Sequence, residues 1–208
     1  MFATRYFASH YFAPSYFTRG SMEIGMPATV VINRWTGSSG GPTKTAITSG
    51  NTVANAVDSH QATAASSTNP IRVPTSGANY SYWIATRLSC SVTPSGTIDN
   101  IRWYTDGSNN FGTGVTCKGN DASSYIQATG TAGTTGIQLT TGNYATLSGS
   151  PVSVFTFTSG SPKSLSGSIS NPSTGDFGDF FVYQVEVDST ASPGVTSQET
   201  FTWLYDET

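Results

Sequence analysis

Residues 80–92 read YSYWIATRLSCSV, and their alternation decides the fold. Tyr80, Tyr82, Ile84, Leu88, Cys90 and Val92 hold even positions, with Ser81, Arg87, Ser89 and Ser91 between them. Successive side chains of a strand point to opposite faces, so this is the period of a half-buried strand whose even face meets the core. A Pro-Ser-Gly turn at 94–96 leads into TIDNIRWYT at 97–105, where Ile101 and Trp103 oppose Asn100 and Arg102. Two alternating runs joined so closely predict a β-hairpin.

Working outward, TVVINRW at 29–35 reads as a first strand, closed by the turn formers GSSGGP. Residues 43–70 are small and polar, a short strand followed by a long loop. Shorter strands are expected at 114–118 and 124–128. VSVFTFT at 152–158, DFFVYQVEVD at 179–188 and SQETFTWLYDE at 197–207 supply three more. In the second of these Phe181, Tyr183, Val185 and Val187 share a face; in the third Phe201, Trp203 and Tyr205 do. Many short strands and no helical stretch predict an all-β protein, an antiparallel β-sandwich, immunoglobulin-like or jelly-roll-like, over residues 27–208. Its predicted core is Tyr82, Ile84, Leu88, Cys90, Ile101, Trp103, Phe181, Tyr183, Val185 and Trp203.

Composition agrees. Of 208 residues 36% are hydrophobic, 12% aromatic and 10% charged, with 22 glycines. A formal charge of −3 and nine Lys plus Arg leave no basic run to neutralise phosphates, so nucleic acid is not an expected partner. No apolar stretch reaches the length of a membrane-spanning helix, and a membrane is not an expected partner either. Cys90 and Cys117 are too few for a disulfide framework; they read as buried reduced thiols, with a bridge as the alternative.

The amino terminus, MFATRYFASHYFAPSYFTRG, carries Tyr6-Phe7, Tyr11-Phe12 and Tyr16-Phe17, an aromatic pair repeated every five residues. Positions five apart on a helix diverge by about 140°, so the pairs share no helical stripe, and Pro14 disfavours a helix. In an extended chain each pair sends one ring to either side, and the segment cannot bury its own rings. Neither a secretory signal nor an amphipathic transit peptide fits the pattern. Two readings remain: an edge strand that wraps its own domain, or an extended arm over residues 1–26, linker included, that docks these six rings into neighbouring subunits.

Chemistry-bearing motifs are sparse. Gly37-Ser38-Ser39-Gly40-Gly41 fits G-x-S-x-G, but Pro42 and a β-prone run follow where a nucleophile elbow needs a helix. Ser39, His60 and Asp58 would be its hydrolase triad. Asp106-Gly107-Ser108-Asn109-Asn110 offers oxygen ligands for calcium without the bidentate Glu of a calcium loop, and its residues are equally turn formers. Asp176 and Asp179 are a carboxylate pair of the kind glycoside chemistry uses, or a solvated strand flank. No catalytic residue, metal or cofactor is expected.

The arm, in the form Arg-Tyr-Phe-Ala-x-x-Tyr-Phe-Ala-Pro-x-Tyr-Phe, resembles the amino termini of small structural proteins encoded in tailed-bacteriophage virion gene clusters. YSYWIATRLS, IDNIRWYTDG and the closing TFTWLYDET are similar to a phage virion module, though less diagnostic. The resemblance implies a structural protein of the capsid surface, neck or tail, assembled in the host cytoplasm. Its implied partners are the major capsid protein or other virion subunits, and copies of itself.

Overall fold

Alternating runs become strands wherever the flanking turns allow pairing. The computed structural model describes residues 27–48, 51–62 and 69–208. In them the chain forms β1 (Thr29–Thr36), β2 (Thr43–Ala46), β3 (Ala78–Tyr80), β4 (Ile84–Val92), β5 (Thr97–Tyr104), β6 (Val115–Ala122), β7 (Gly130–Thr131), β8 (Thr135–Gly136), β9 (Val152–Ser153), β10 (Lys163–Ser164), β11 (Ile169–Ser170), β12 (Gly175–Asp188) and β13 (Thr202–Glu207). A 3-10 turn, Val154–Thr156, is the one helical element among the described residues.

The strands pair antiparallel into two packed sheets. The large sheet runs β2-β1-β4-β12-β6-β9, with β3 continuing the line of β4 along β12. The small sheet places β10 and β11 on one side of β5 and β13 on the other. β7 and β8 form a separate two-stranded ribbon.

Strand β12 is the axis of the molecule. Phe177, Phe181, Tyr183, Val185 and Val187 join Ile84, Leu88 and Cys90 in a core shared with Ile98, Ile101 and Trp103 of β5. Trp103 is 1% exposed and stacks across the sheets on Phe181, centroids 3.7 Å apart and planes at 15°. On the other face of β12, Phe180 and Val182 join Tyr82, Trp83, Ala85, Tyr144 and Leu147 in a second core, covered by residues 123–150. The strand passes between these faces through a bulge after Phe177. Gly178 there has φ +71°, and a Cβ on it would lie 2.5 Å from Ile101 Cδ1. Only glycine meets both conditions without strain.

An all-β sandwich is what the alternation predicts, but several local expectations are corrected. β4 and β5 are not a hairpin: both edges of β4 are occupied, by β1 and β12, and the turn at 94–96 instead carries the chain into the other sheet. Two strands with apolar faces here bury more by facing each other across the core than by lying side by side. Tyr82 belongs to the second core, not the first. Ser81 N–H donates to Val185 O at 2.8 Å and Tyr82 N–H to Asn55 O at 2.8 Å, and residues 81–83 leave the strand, so parity is lost between Tyr82 and Ile84. Tyr80 is half-buried and Val92 is 40% exposed. Trp203 is half-buried, packing on the core from edge strand β13. Residues 124–128 form no strand, and 152–158 contribute two strand residues before the 3-10 turn. The arm and its six rings, Tyr6, Phe7, Tyr11, Phe12, Tyr16 and Phe17, lie outside the described residues.

Candidate functional site

The small sheet is narrower than the large one, so part of the large sheet's inner face is covered by loops instead of strands. Beneath those loops, residues 51–62, 69–73 and 191–201, lies a cavity of about 820 Å³. That is within the ~300–1,000 Å³ typical of binding pockets. β1 contributes Ile32 to the wall, β4 contributes Ile84 and Thr86, and β12 contributes Tyr183, Val185 and Val187. The remaining side is aromatic, with Trp103, Phe111, Phe201 and Trp203. Val195, 71% exposed, stands at the mouth. Such walls offer ring faces and methyl groups with a few amides and hydroxyls, the chemistry of holding aromatic or aliphatic groups.

Arg34 lies deep beside it and is 1% exposed. Its parity with Val30 and Ile32 aims it inward, where Nη1 donates to Thr52 Oγ1 at 2.7 Å and Val53 O at 3.2 Å. Burial lowers its pKa, while Tyr183, Asp58 and Tyr125 act the other way. Around it Arg34 Nε, Asn55 Oδ1, His60 Nδ1 and Gln61 Oε1 are buried without a hydrogen-bond partner. Arg34 was not among the sequence candidates, though an arginine in phase with Val30 and Ile32 marks the position.

The structure brings Ser39 and Asp58 into one cluster without making a triad. Asp58 Oδ2 accepts from Gly37 N–H at 2.8 Å and from Gln127 Nε2 at 3.2 Å. Ser39 Oγ accepts from Gln127 N–H at 3.0 Å, and Tyr125 donates its hydroxyl to Gly37 O at 2.9 Å. Burial raises the Asp58 pKa; burial, then Arg34, lowers that of His60. These bonds tie the 37–41 turn, the 51–62 loop and residues 125–127 together, and none of them orients His60 toward Ser39.

The other candidates resolve into similar local roles. Asp106 Oδ1 accepts from Ser108 N–H and Asn109 Oδ1 from Phe111 N–H, the side-chain-to-backbone bonds of turns. Asp176 and Asp179 line a shallow cleft with Arg87, where Asp176 pairs with Lys44 at 2.5 Å. Burial, then Asp121, raises the Asp179 pKa. Cys90 and Cys117 are free, and burial pushes both thiols up, away from the reactive thiolate. Among the described residues no group of three or more His, Cys, Asp or Glu could hold a metal ion.

Compared with known proteins, the chain matches no family model, no curated protein and no solved structure.

Proposed function

We propose that this protein is a structural component of a tailed-phage virion, a capsid decoration or cement protein that binds neighbouring virion subunits through its N-terminal aromatic arm. The observation that carries the reading is the repeat of three Tyr-Phe pairs ahead of Pro27, joined to a sandwich with its own apolar core. Rigid rings supply large contact area at low entropic cost, and a separate folded domain keeps that surface from dominating solubility. The major capsid protein, other virion subunits and further copies of this chain are the partners, and the virion is the place of action. A neck or tail position uses the same chemistry.

The experiment deletes residues 2–20, then measures thermal unfolding and incorporation into particles. The expected result is a sandwich of nearly unchanged stability that no longer incorporates. Unchanged incorporation sinks the reading, and so does a sandwich that unfolds, because the rings then serve the domain's own core.

The cavity favours a second reading, a carbohydrate- or receptor-binding sandwich on the virion surface. Glycan binding that survives loss of the arm would support it.

A further inference from the structure

We propose that the cavity beneath residues 191–201 is the receptor for a Tyr-Phe pair from the arm of a second copy of this chain. The inference rests on the assembly reading above and gives the arm a docking site.

The first ground is chemical fit. The cavity has the volume of roughly 25 waters at ~30 Å³ each. Filling it with water would leave faces of Phe201 and Trp203 wet inside a sandwich, against the hydrophobic effect. A Phe and a Tyr bury ~150–250 Å² each, and their rings suit aromatic walls at offset or edge-to-face angles. The walls already use such geometry: Tyr183 and Phe201 meet at 90° with centroids 5.0 Å apart.

The second ground is where the arm begins. Ala28 N–H is held by both carboxylate oxygens of Glu207, each at 3.1 Å, beside the first residue of β1. β1 then runs from Thr29, opposite Val92, toward Trp35, opposite Ala85. The cavity lies along that course, against Ile32, Ile84 and Thr86. The strand therefore travels toward the cavity from Thr29, so the chain enters β1 at the end away from the cavity. From that end an arm has to turn back along β1 to reach its own cavity, whereas docking on a second copy needs no such return. Phe12 stands fifteen positions ahead of Pro27, up to about 50 Å of extended chain, which is ample for that.

The third ground is the period. Pairs five residues apart are separated by about 17 Å along an extended strand, whereas a sphere of the cavity's volume is about 12 Å across. One cavity takes one pair and leaves the others for further subunits. A contact of this kind, arm to cavity, is heterologous, so it propagates or closes a ring.

The test uses full-length chains and introduced cysteines that spare every ring. Ser9→Cys and Ser15→Cys lie between the pairs, and Ser197→Cys lies in the exposed part of the cavity wall. Each arm variant is mixed with the Ser197→Cys protein and oxidised, so that any cross-link at these positions is between chains. Native Cys90 and Cys117 are buried. The expected result is a mixed disulfide joining one arm-variant chain to one Ser197→Cys chain, identified by mass and lost when all six rings are replaced by serine. A cross-link formed only within a chain carrying both substitutions overturns the proposal in favour of the chain's own arm. If no cross-link to Ser197→Cys forms while deletion of residues 2–20 still abolishes incorporation, the arm docks elsewhere and this inference alone fails. If deletion leaves incorporation unchanged, the assembly reading fails with it.

Discussion

Around Trp103 the inner face of the large sheet meets other strands, whereas its outer face meets loops. Inside, β4, β5 and β12 satisfy their backbones in their own ladders, so side chains are free to be apolar, and Trp103 stacks flat on Phe181. Outside, residues 123–150 have little ladder of their own, and buried side chains must serve their backbone groups. Gln184 accepts from Leu139 N–H at 2.6 Å and donates to Ser81 O at 2.6 Å and Ile137 O at 2.8 Å. Tyr144 OH accepts from Ile126 N–H and donates to Ser124 O, while Trp83 Nε1 donates to Ile126 O. Both faces carry a buried core, but area and shape hold one while specific polar bonds also hold the other.

The sharpest way to probe the inner face is Trp103→Ala. Loss of a fully buried ring leaves a cavity between the sheets, and unfolding by denaturant should show a loss of about 3–5 kcal/mol. A loss under about 1 kcal/mol would mean that the inner core does not depend on this stack.

On the outer face, Gln184→Leu keeps volume and removes three hydrogen bonds. It should cost about 2–3 kcal/mol, because Leu139 N–H and two carbonyls are left buried and unpaired. A neutral outcome would break the contrast between the faces, since leucine would then serve as well as the amide. Tyr144→Phe is a finer version of the same test. It should cost about 1–2 kcal/mol, with hydrogen exchange accelerated most at the Ile126 amide. Exchange that rises evenly over the whole sheet would place the hydroxyl's role elsewhere.

The same contrast explains what was legible in the sequence. Strict alternation reports a face built by strand on strand, so Ile84, Leu88, Cys90, Ile101, Trp103, Phe181, Tyr183 and Val185 were readable as core. It fails at 81–83, where Tyr82 and Ile84 keep their parity and lose their common face because the backbone turns aside to bond Asn55 and Val185. Over 123–150 it suggests only a strand at 124–128 that does not form, and it gives no sign of Tyr144, which loop packing buries. It is equally silent about which strands pair: the short turn at 94–96 suits a hairpin, and only competition from β1 and β12 for the edges of β4 redirects it. The cavity escapes the sequence for a related reason. Val185, Val187 and Trp203 are each visibly apolar, but the gap among them arises from the unequal widths of two sheets.

The smallest expected effect concerns where the two ends of the described domain meet. The Glu207 carboxylate accepts from Ser95 N–H at 3.0 Å and from Ala28 N–H, clasping the start of β1 and the turn between β4 and β5 to the last strand. The Ser95 N–H bond, then that from Ala28, holds its pKa below the usual carboxylate range. A carboxylate whose folded pKa is depressed contributes its full stability above the unfolded value and loses it as pH falls through the folded one. Glu207→Gln should therefore lower the thermal midpoint slightly at neutral pH, because the amide keeps an acceptor but loses the charge. The gap between the two proteins should close as pH drops through and below the ordinary carboxylate range. This clasp joins strands of both sheets without touching either core, so the variant should leave the contrast between inner and outer faces intact. A gap that stays constant down to strongly acidic pH would show that geometry, not charge, is what Glu207 supplies.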